Sequence, residues 1–160
     1  LFSDTVQNNI LFGSESTKDK EKVEKYATIT HVHNDILQLP KQYETIVGER
    51  GIMLSGGQKQ RISIARSLIK EPELVVLDDC LSAVDAKTEK IILDNLHQNL
   101  QNKTVIFITH RIFAAMSFDK IIVLNDGKIA EQGNHTTLIK KKGIYFDLYQ
   151  LQQTTETNEV

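Results

Sequence analysis

Apolar positions recur along this chain with two different spacings, and the change falls near residue 72. Before it the pattern is helical. Asp4-Thr5 can cap a short helix carrying Val6, Ile10 and Leu11. Lys18 to Thr30 is charged, with Val23, Tyr26, Ala27 and Ile29 turned inward, as in a surface helix. A further short helix is predicted over Val32 to Leu39; it stops before Pro40, because the residue preceding a proline avoids the helical region. Lys41 to Gly51 reads as irregular, and no strand is expected in the first third. Gln58 to Lys70 is a strong helix, with Ile62, Ala65, Arg66 and Ile69 at helical spacing and Gly56-Gly57 at its amino end.

Beyond Pro72 the apolar residues cluster in short runs. Leu74 to Leu77 is continuous, as expected of a strand covered on both faces. Thr104 to Ile108 gives a second strand and Lys120 to Leu124 a third, with an amphipathic helix over Ala86 to Leu100 between the first two. Asn125-Asp126-Gly127 marks a tight hairpin into Lys128 to Glu131. Helices over His135 to Lys142 and Ile144 to Leu151 follow, and the polar end, Gln153 to Val160, is predicted to fray. Strands alternating with helices imply an α/β architecture with a parallel sheet. The predicted organisation is a helical part over 1–70, an α/β part over 71–152 and a polar tail over 153–160. The helix at the boundary bridges the first two, so they are not independent.

Composition narrows the classes. At 160 residues the chain can bury one real core, and its 40% hydrophobic and 25% charged content is ordinary for a globular protein. A formal net charge of −2 gives no electrostatic reason to expect nucleic acid. One cysteine, Cys80, excludes an internal disulfide and suits a reducing compartment. No apolar run approaches the ~20 residues that span a bilayer. The start, Leu1-Phe2-Ser3-Asp4, lacks both an initiator methionine and a signal peptide, so the chain is expected to be a piece of a longer protein.

Chemistry concentrates in two places. Leu54-Ser55-Gly56-Gly57-Gln58 sets a serine and two glycines at a helix amino terminus, where unpaired N–H groups and a partial positive charge favour an anion. Without further context this would be a flexible turn with a cap. Followed by an apolar strand ending in Asp78-Asp79, it points to a nucleoside triphosphate: one carboxylate to hold Mg²⁺ and its neighbour to orient an attacking water. Adjacent strand residues face opposite ways, so the two aspartates should have different jobs. Thr109-His110 ends the next strand. A parallel neighbour would bring His110 to the same edge, where its imidazole could donate to a terminal phosphate. Asp85 could simply cap the helix from Ala86, and Cys80 reads as a small buried hydrophobe rather than a nucleophile. His31, His33, His97 and His135 receive no role.

In this order the residues resemble the nucleotide-binding domain of ABC transporters, over about residues 1 to 152. Leu54 to Gln58 resembles the family's signature motif, Leu74 to Asp78 its Walker B, Ser82 to Asp85 its D-loop, and His110 its switch histidine. Thr45-Ile46-Val47-Gly48-Glu49-Arg50-Gly51 is similar to the segment that touches the membrane domain in exporters, and Leu1 to Gly13 to the stretch after the Q-loop. The fold so implied is half of a P-loop NTPase (RecA-like) core with the ABC helical subdomain. The resemblance implies ATP and Mg²⁺ as ligands, with Asp78 at the metal, Asp79 and His110 catalytic, and Leu54, Ser55, Gly56, Gly57, Gln58 and Asp85 binding nucleotide. It also implies a second nucleotide-binding domain as head-to-tail partner, with two ATP molecules at the joint, a transmembrane domain contacted through Thr45–Gly51, and a place on the cytoplasmic face of the membrane.

Two departures from the family pattern stand out. No Gly-x-x-x-x-Gly-Lys-Ser/Thr occurs; the one Gly-Lys is Gly127-Lys128, in the hairpin. The phosphate loop, the Q-loop glutamine and the adenine-stacking aromatic are expected to precede Leu1, so this piece should not bind ATP well alone, and one side of its sheet should be uncovered. The family's catalytic glutamate position holds Asp79, one methylene shorter, and a displacement of about 1 Å can cost on the order of 10²-fold in rate. That replacement fits an alternative, a regulatory nucleotide-binding domain serving a catalytic partner. A third reading, a soluble ABC-type ATPase acting on DNA or ribosomes, is disfavoured by the exporter-like segment and the absence of a basic patch.

Overall fold

The computed structural model of the chain describes residues 1–14, 19–48 and 51–157. These form two compact units, Leu1–Ile108 and Thr109–Val160. In the first, β1 (Asp4–Thr5) leads into α1 (Val6–Leu11), whose cap is the Thr5 side chain accepting from the Asn8 N–H at 3.0 Å. Asp19 caps α2 (Lys20–Ile29) in the same way, at 2.9 Å from the Lys22 N–H. A short α3 (His33–Leu37) and a 3-10 turn (Gln42–Glu44) follow, then β2 (Ile46–Val47), α4 (Gly56–Leu68), β3 (Leu74–Asp78), α5 (Ala86–Asn99) and β4 (Thr104–Ile108).

The first third is not free of strands. β1 and β2 pair antiparallel, Asp4 opposite Val47 and Thr5 opposite Ile46. Two-residue strands carry no readable alternation; here a buried side chain fixes them. Asn9, fully buried, accepts from the Phe2 N–H (2.9 Å) and donates to the carbonyls of Phe2 and Thr5 (both 3.0 Å). Arg66 of α4 then grips Asn9, its Nε donating to the backbone oxygen and Nη2 to Oδ1, both at 2.6 Å. The same guanidinium lies over the rings of Phe2 and Phe12, 5.1 and 5.6 Å from their centroids.

β3 and β4 pair in parallel, Leu74 opposite Thr104 through Asp78 opposite Ile108. Val75 and Leu77 are buried in one apolar cluster with residues of α1, α2, α4 and α5. One side of the sheet is open, as expected, so the expectation of a strand covered on both faces does not hold: Leu74 and Val76 of β3 and Ile106 and Ile108 of β4 are each about half exposed. A continuous apolar run reports what both faces would accept. Here only the inner one is covered.

The second unit holds α6 (Ile112–Ala115), β5 (Ile121–Asn125), β6 (Lys128–Gly133), α7 (His135–Lys141) and α8 (Ile144–Thr157) around Ile112, Ile121, Leu138 and Tyr145. β5 does not extend the parallel sheet. It pairs antiparallel with β6 in a separate two-stranded sheet, turning through Asp126 and Gly127 at φ 49° and 72°. Two consecutive positive φ values give the turn whose twist matches a hairpin, so the nearest partner in sequence takes the strand. α8 continues to Thr157, with Thr154 Oγ1 donating to the Gln150 carbonyl at 2.9 Å; residues 158–160 lie outside the described residues.

Candidate functional site

The site starts at the amino end of α4. Ser55 caps the helix: its Oγ accepts from the Gln58 N–H (3.1 Å) and the Gln58 Oε1 accepts from the Ser55 N–H (3.0 Å). This reciprocal box satisfies two N–H groups. Those of Gly56 and Gly57 have no hydrogen-bond partner among the described residues, and Gly56 is exposed. Leu54 is buried in the core just before the cap and fixes where the helix begins. The second end of Gln58 is also occupied, its Nε2 donating to Asp35 Oδ1 at 3.1 Å. Asp35 pairs with Arg61 at 2.9 Å, and Arg61 in turn donates to the carbonyls of Gly57 (3.3 Å) and His31. Burial raises the Asp35 carboxyl, but the bonds from Gln58 and Arg61 and the arginine charge outweigh it and hold the carboxyl below its ordinary value.

The carboxylates come from the end of β3. Asp78 closes the strand opposite Ile108 and is exposed. Asp79 is no longer strand: at φ 42° it is left-handed, with its N–H donating to the Ile108 carbonyl at 2.9 Å. The premise that both aspartates sit on one strand therefore fails at Asp79. The chain turns there, and what separates the two carboxylates is that turn rather than the pleat. Aspartate is among the few residues that tolerate this conformation.

One side chain to which sequence reasoning assigned no role joins the two places. Gln60 accepts from the Ala83 N–H (2.9 Å) and donates to Ser82 Oγ (2.8 Å), with a longer approach to the Asp79 carbonyl (3.5 Å). Ser82 Oγ itself donates to the Asp79 carbonyl at 3.0 Å. The glycines allow the approach: a Cβ on Gly57 would lie 2.8 Å from the Ala83 carbonyl oxygen, and one on Gly56 3.2 Å from the Ala83 Cβ. The sequence signal was available in the polar Gln60 on the face of α4 that also carries Gly56, but nothing local said what it would meet.

The remaining residues are placed as follows. Asp85 caps α5, accepting from the Thr88 N–H at 2.9 Å, and that bond holds its carboxyl below the usual value. Cys80 is partly buried against the core; burial and the nearby carboxylates push its thiol up to about 11. His110 stands exposed at the start of the second unit, its carbonyl accepting from Gln152 at 2.6 Å. Thr45 is buried beneath an exposed Ile46, while Glu49 and Arg50 lie outside the described residues.

Open N–H groups at a glycine-bearing helix start suit a phosphate, and exposed carboxylates suit a hard cation, so the donor set fits a nucleotide with a divalent metal. The profile of the ABC transporter family matches residues 2–82, half of the chain. The chain belongs to the ABC transporter family. The multidrug resistance-like ATP-binding protein MdlA of Escherichia coli is 53% identical over 153 residues, covering 96% of this chain and 26% of that protein. The probable multidrug resistance ABC transporter ATP-binding/permease protein YheI of Bacillus subtilis is 48% identical, covering 99% and 27%. Among solved structures, that of a bacterial Atm1-family ABC exporter with ATP bound superposes with a TM-score of 0.89 at 38% identity, covering 96% of this chain and 27% of that one. The chain thus spans about a quarter of the relatives it matches. Its fold is that of the ABC nucleotide-binding domain. No helix among the described residues is long and apolar enough to cross a membrane.

Proposed function

We propose that this chain is the later part of an ATP-hydrolysing domain of an ABC exporter, joined in the full protein to a transmembrane domain at the cytoplasmic face of the membrane. What carries the reading is the joint geometry of Ser55–Gln58 and Asp78-Asp79, tied by Gln60 within one compact unit. The open N–H groups of Gly56 and Gly57, with Ser55, meet the terminal phosphate of a nucleotide seated mainly on a second nucleotide-binding domain. Asp78 is the residue that would hold Mg²⁺, which supplies charge neutralisation at the phosphates. Asp79 orients the water and accepts its proton, His110 donates to the terminal phosphate, and Asp85 lies at the joint between the domains. Thr45–Gly51 is the contact to the membrane domain, and the helical part over 1–70 transmits it.

Two measurements test this. Purified residues 1–160 should show no Mg-ATP turnover, because the phosphate loop is not among them; measured hydrolysis would refute that. In the full-length protein, Mg-ATP hydrolysis should fall by a factor on the order of 10² or more on Asp79→Ala, and unchanged turnover would remove Asp79 from the reaction.

A specific observation favours a second reading, a slow regulatory site serving a catalytic partner. Asp79 is short and sits in a left-handed turn. If reach limits the reaction, Asp79→Glu in the full-length protein raises turnover; if turnover does not rise, geometry at this carboxylate is not limiting.

A further inference from the structure

We infer that Gln60 is the positioning residue for the Asp79 turn, and that through it the tip of α4 and the carboxylate pair move as one piece. This rests on the functional reading above and goes beyond it. There, the α4 tip serves a nucleotide on the partner and Asp79 serves the nucleotide of its own subunit, so a rigid link between them joins two separate sites.

The link has three parts, all within the first unit. Gln60 uses both ends of its amide: Oε1 receives the Ala83 N–H at 2.9 Å and Nε2 donates to Ser82 Oγ at 2.8 Å. Ser82 passes the connection on, its hydroxyl donating to the Asp79 carbonyl at 3.0 Å. Asp79 needs such support, because an aspartate at φ 42° is held against a local preference for extended or right-handed backbone. Contact on the other side is equally close. The space a Cβ on Gly57 would need falls 2.8 Å from the Ala83 oxygen, so the α4 tip is seated directly on the turn. One helix residue at the start of the second turn of α4 therefore sets the conformation from Asp79 to Ala83. A shift of the tip by a phosphate passes to the Asp79 carbonyl through two hydrogen bonds.

The experiment uses the full-length protein with Gln60→Ala, Ser82→Ala, the double variant and Gln60→Glu. Two readouts are taken: Mg-ATP kinetics, and the alkylation rate of Cys80 followed on its own peptide by mass spectrometry. Cys80 neighbours Asp79 in the turn, so it reports on the turn whether or not the protein turns over. Gln60→Ala should lower kcat by a factor of about 10 to 10², the cost of an ångström-scale misplacement, with KM for ATP changed less than about threefold. The double variant should be no slower than Gln60→Ala, since both act along one path and their effects do not add. Gln60→Glu keeps an acceptor for the Ala83 N–H but has no donor for Ser82 Oγ and draws its one hydroxyl proton from the Asp79 carbonyl, so it should be about as slow as Gln60→Ala. A residue that only stabilises the fold would not show the KM–kcat split. Cys80 should alkylate about tenfold faster in Gln60→Ala as its cover loosens.

Unchanged Cys80 alkylation in Gln60→Ala overturns the link, as does a kcat within twofold of the parent. A parent protein without ATPase activity, but with faster Cys80 alkylation in Gln60→Ala, would leave the link standing and remove the functional reading.

Discussion

Gly57 is the residue whose size matters in two directions. Its open N–H faces a phosphate under the proposed function, while its missing Cβ lets the Ala83 carbonyl approach to a distance no side chain allows. Gly57→Ala should therefore destabilise the fold by about 1–3 kcal/mol, the range for overpacking, quite apart from any effect on nucleotide. Urea unfolding without ATP would show this, and an unchanged midpoint would mean that the turn yields freely. Cys80 makes the opposite kind of statement. With its thiol pushed up to about 11 by burial and neighbouring carboxylates, it is protonated at neutral pH. Alkylation should be slow and climb until the pH nears that value; rapid labelling at neutral pH would contradict its burial. Asp35 carries the clearest pH dependence. Its folded carboxyl lies below the unfolded value of about 3.9. The stability it contributes is thus complete above that value and lost as pH falls through the lower, folded one. Asp35→Asn should cost ~1 kcal/mol at neutral pH, a modest figure because the pair is partly exposed, and less at an acid pH below the unfolded value. Comparing unfolding at the two pH values checks the sign.

α4 is the element on which most of this depends, and it was largely legible in the sequence. Ile62, Ala65, Leu68 and Ile69 recur at helical spacing and are all buried, and Ser55 with Gln58 forms the capping box that their spacing allows. Ser55→Ala should cost ~1 kcal/mol of stability through the lost cap, and Ile62→Ala about 2–5 kcal/mol through the cavity it leaves. Both are measurable by denaturant unfolding of the full-length protein's isolated domain. What could not be read was anything set by distant partners. β1 and β2 are too short to alternate, and they exist because Asn9 gathers the backbone groups of Phe2 and Thr5. The hairpin of β5 with β6 was legible in Asn125-Asp126-Gly127, but that pairing in a sheet of their own, apart from the parallel strands, was not. The turn at Asp79 was hidden by an apolar run that gives no hint of where the strand stops. Gln60 was visible only as a polar residue on an amphipathic helix; its role depends on a loop some twenty residues away, which no periodicity reports.

At the scale of the molecule, the exposed row Leu74, Val76, Ile106 and Ile108 leaves an apolar sheet face open to water. Such a face promotes association. Sedimentation of residues 1–160 should show self-association that grows with concentration; a sharp monomer at every concentration would count against it. The grip of Arg66 on Asn9 has a mechanical consequence of its own. Residues 1 to 9 are fastened near the carboxyl end of α4, and the glycines lie at the opposite end, about 15 Å away at the helical rise of 1.5 Å per residue. Tilting α4 by about 5° around that fastening would swing the glycine end by roughly 1 Å, the scale on which reaction geometry is won or lost. A push on the start of this chain would thus arrive at its far tip as a lever stroke.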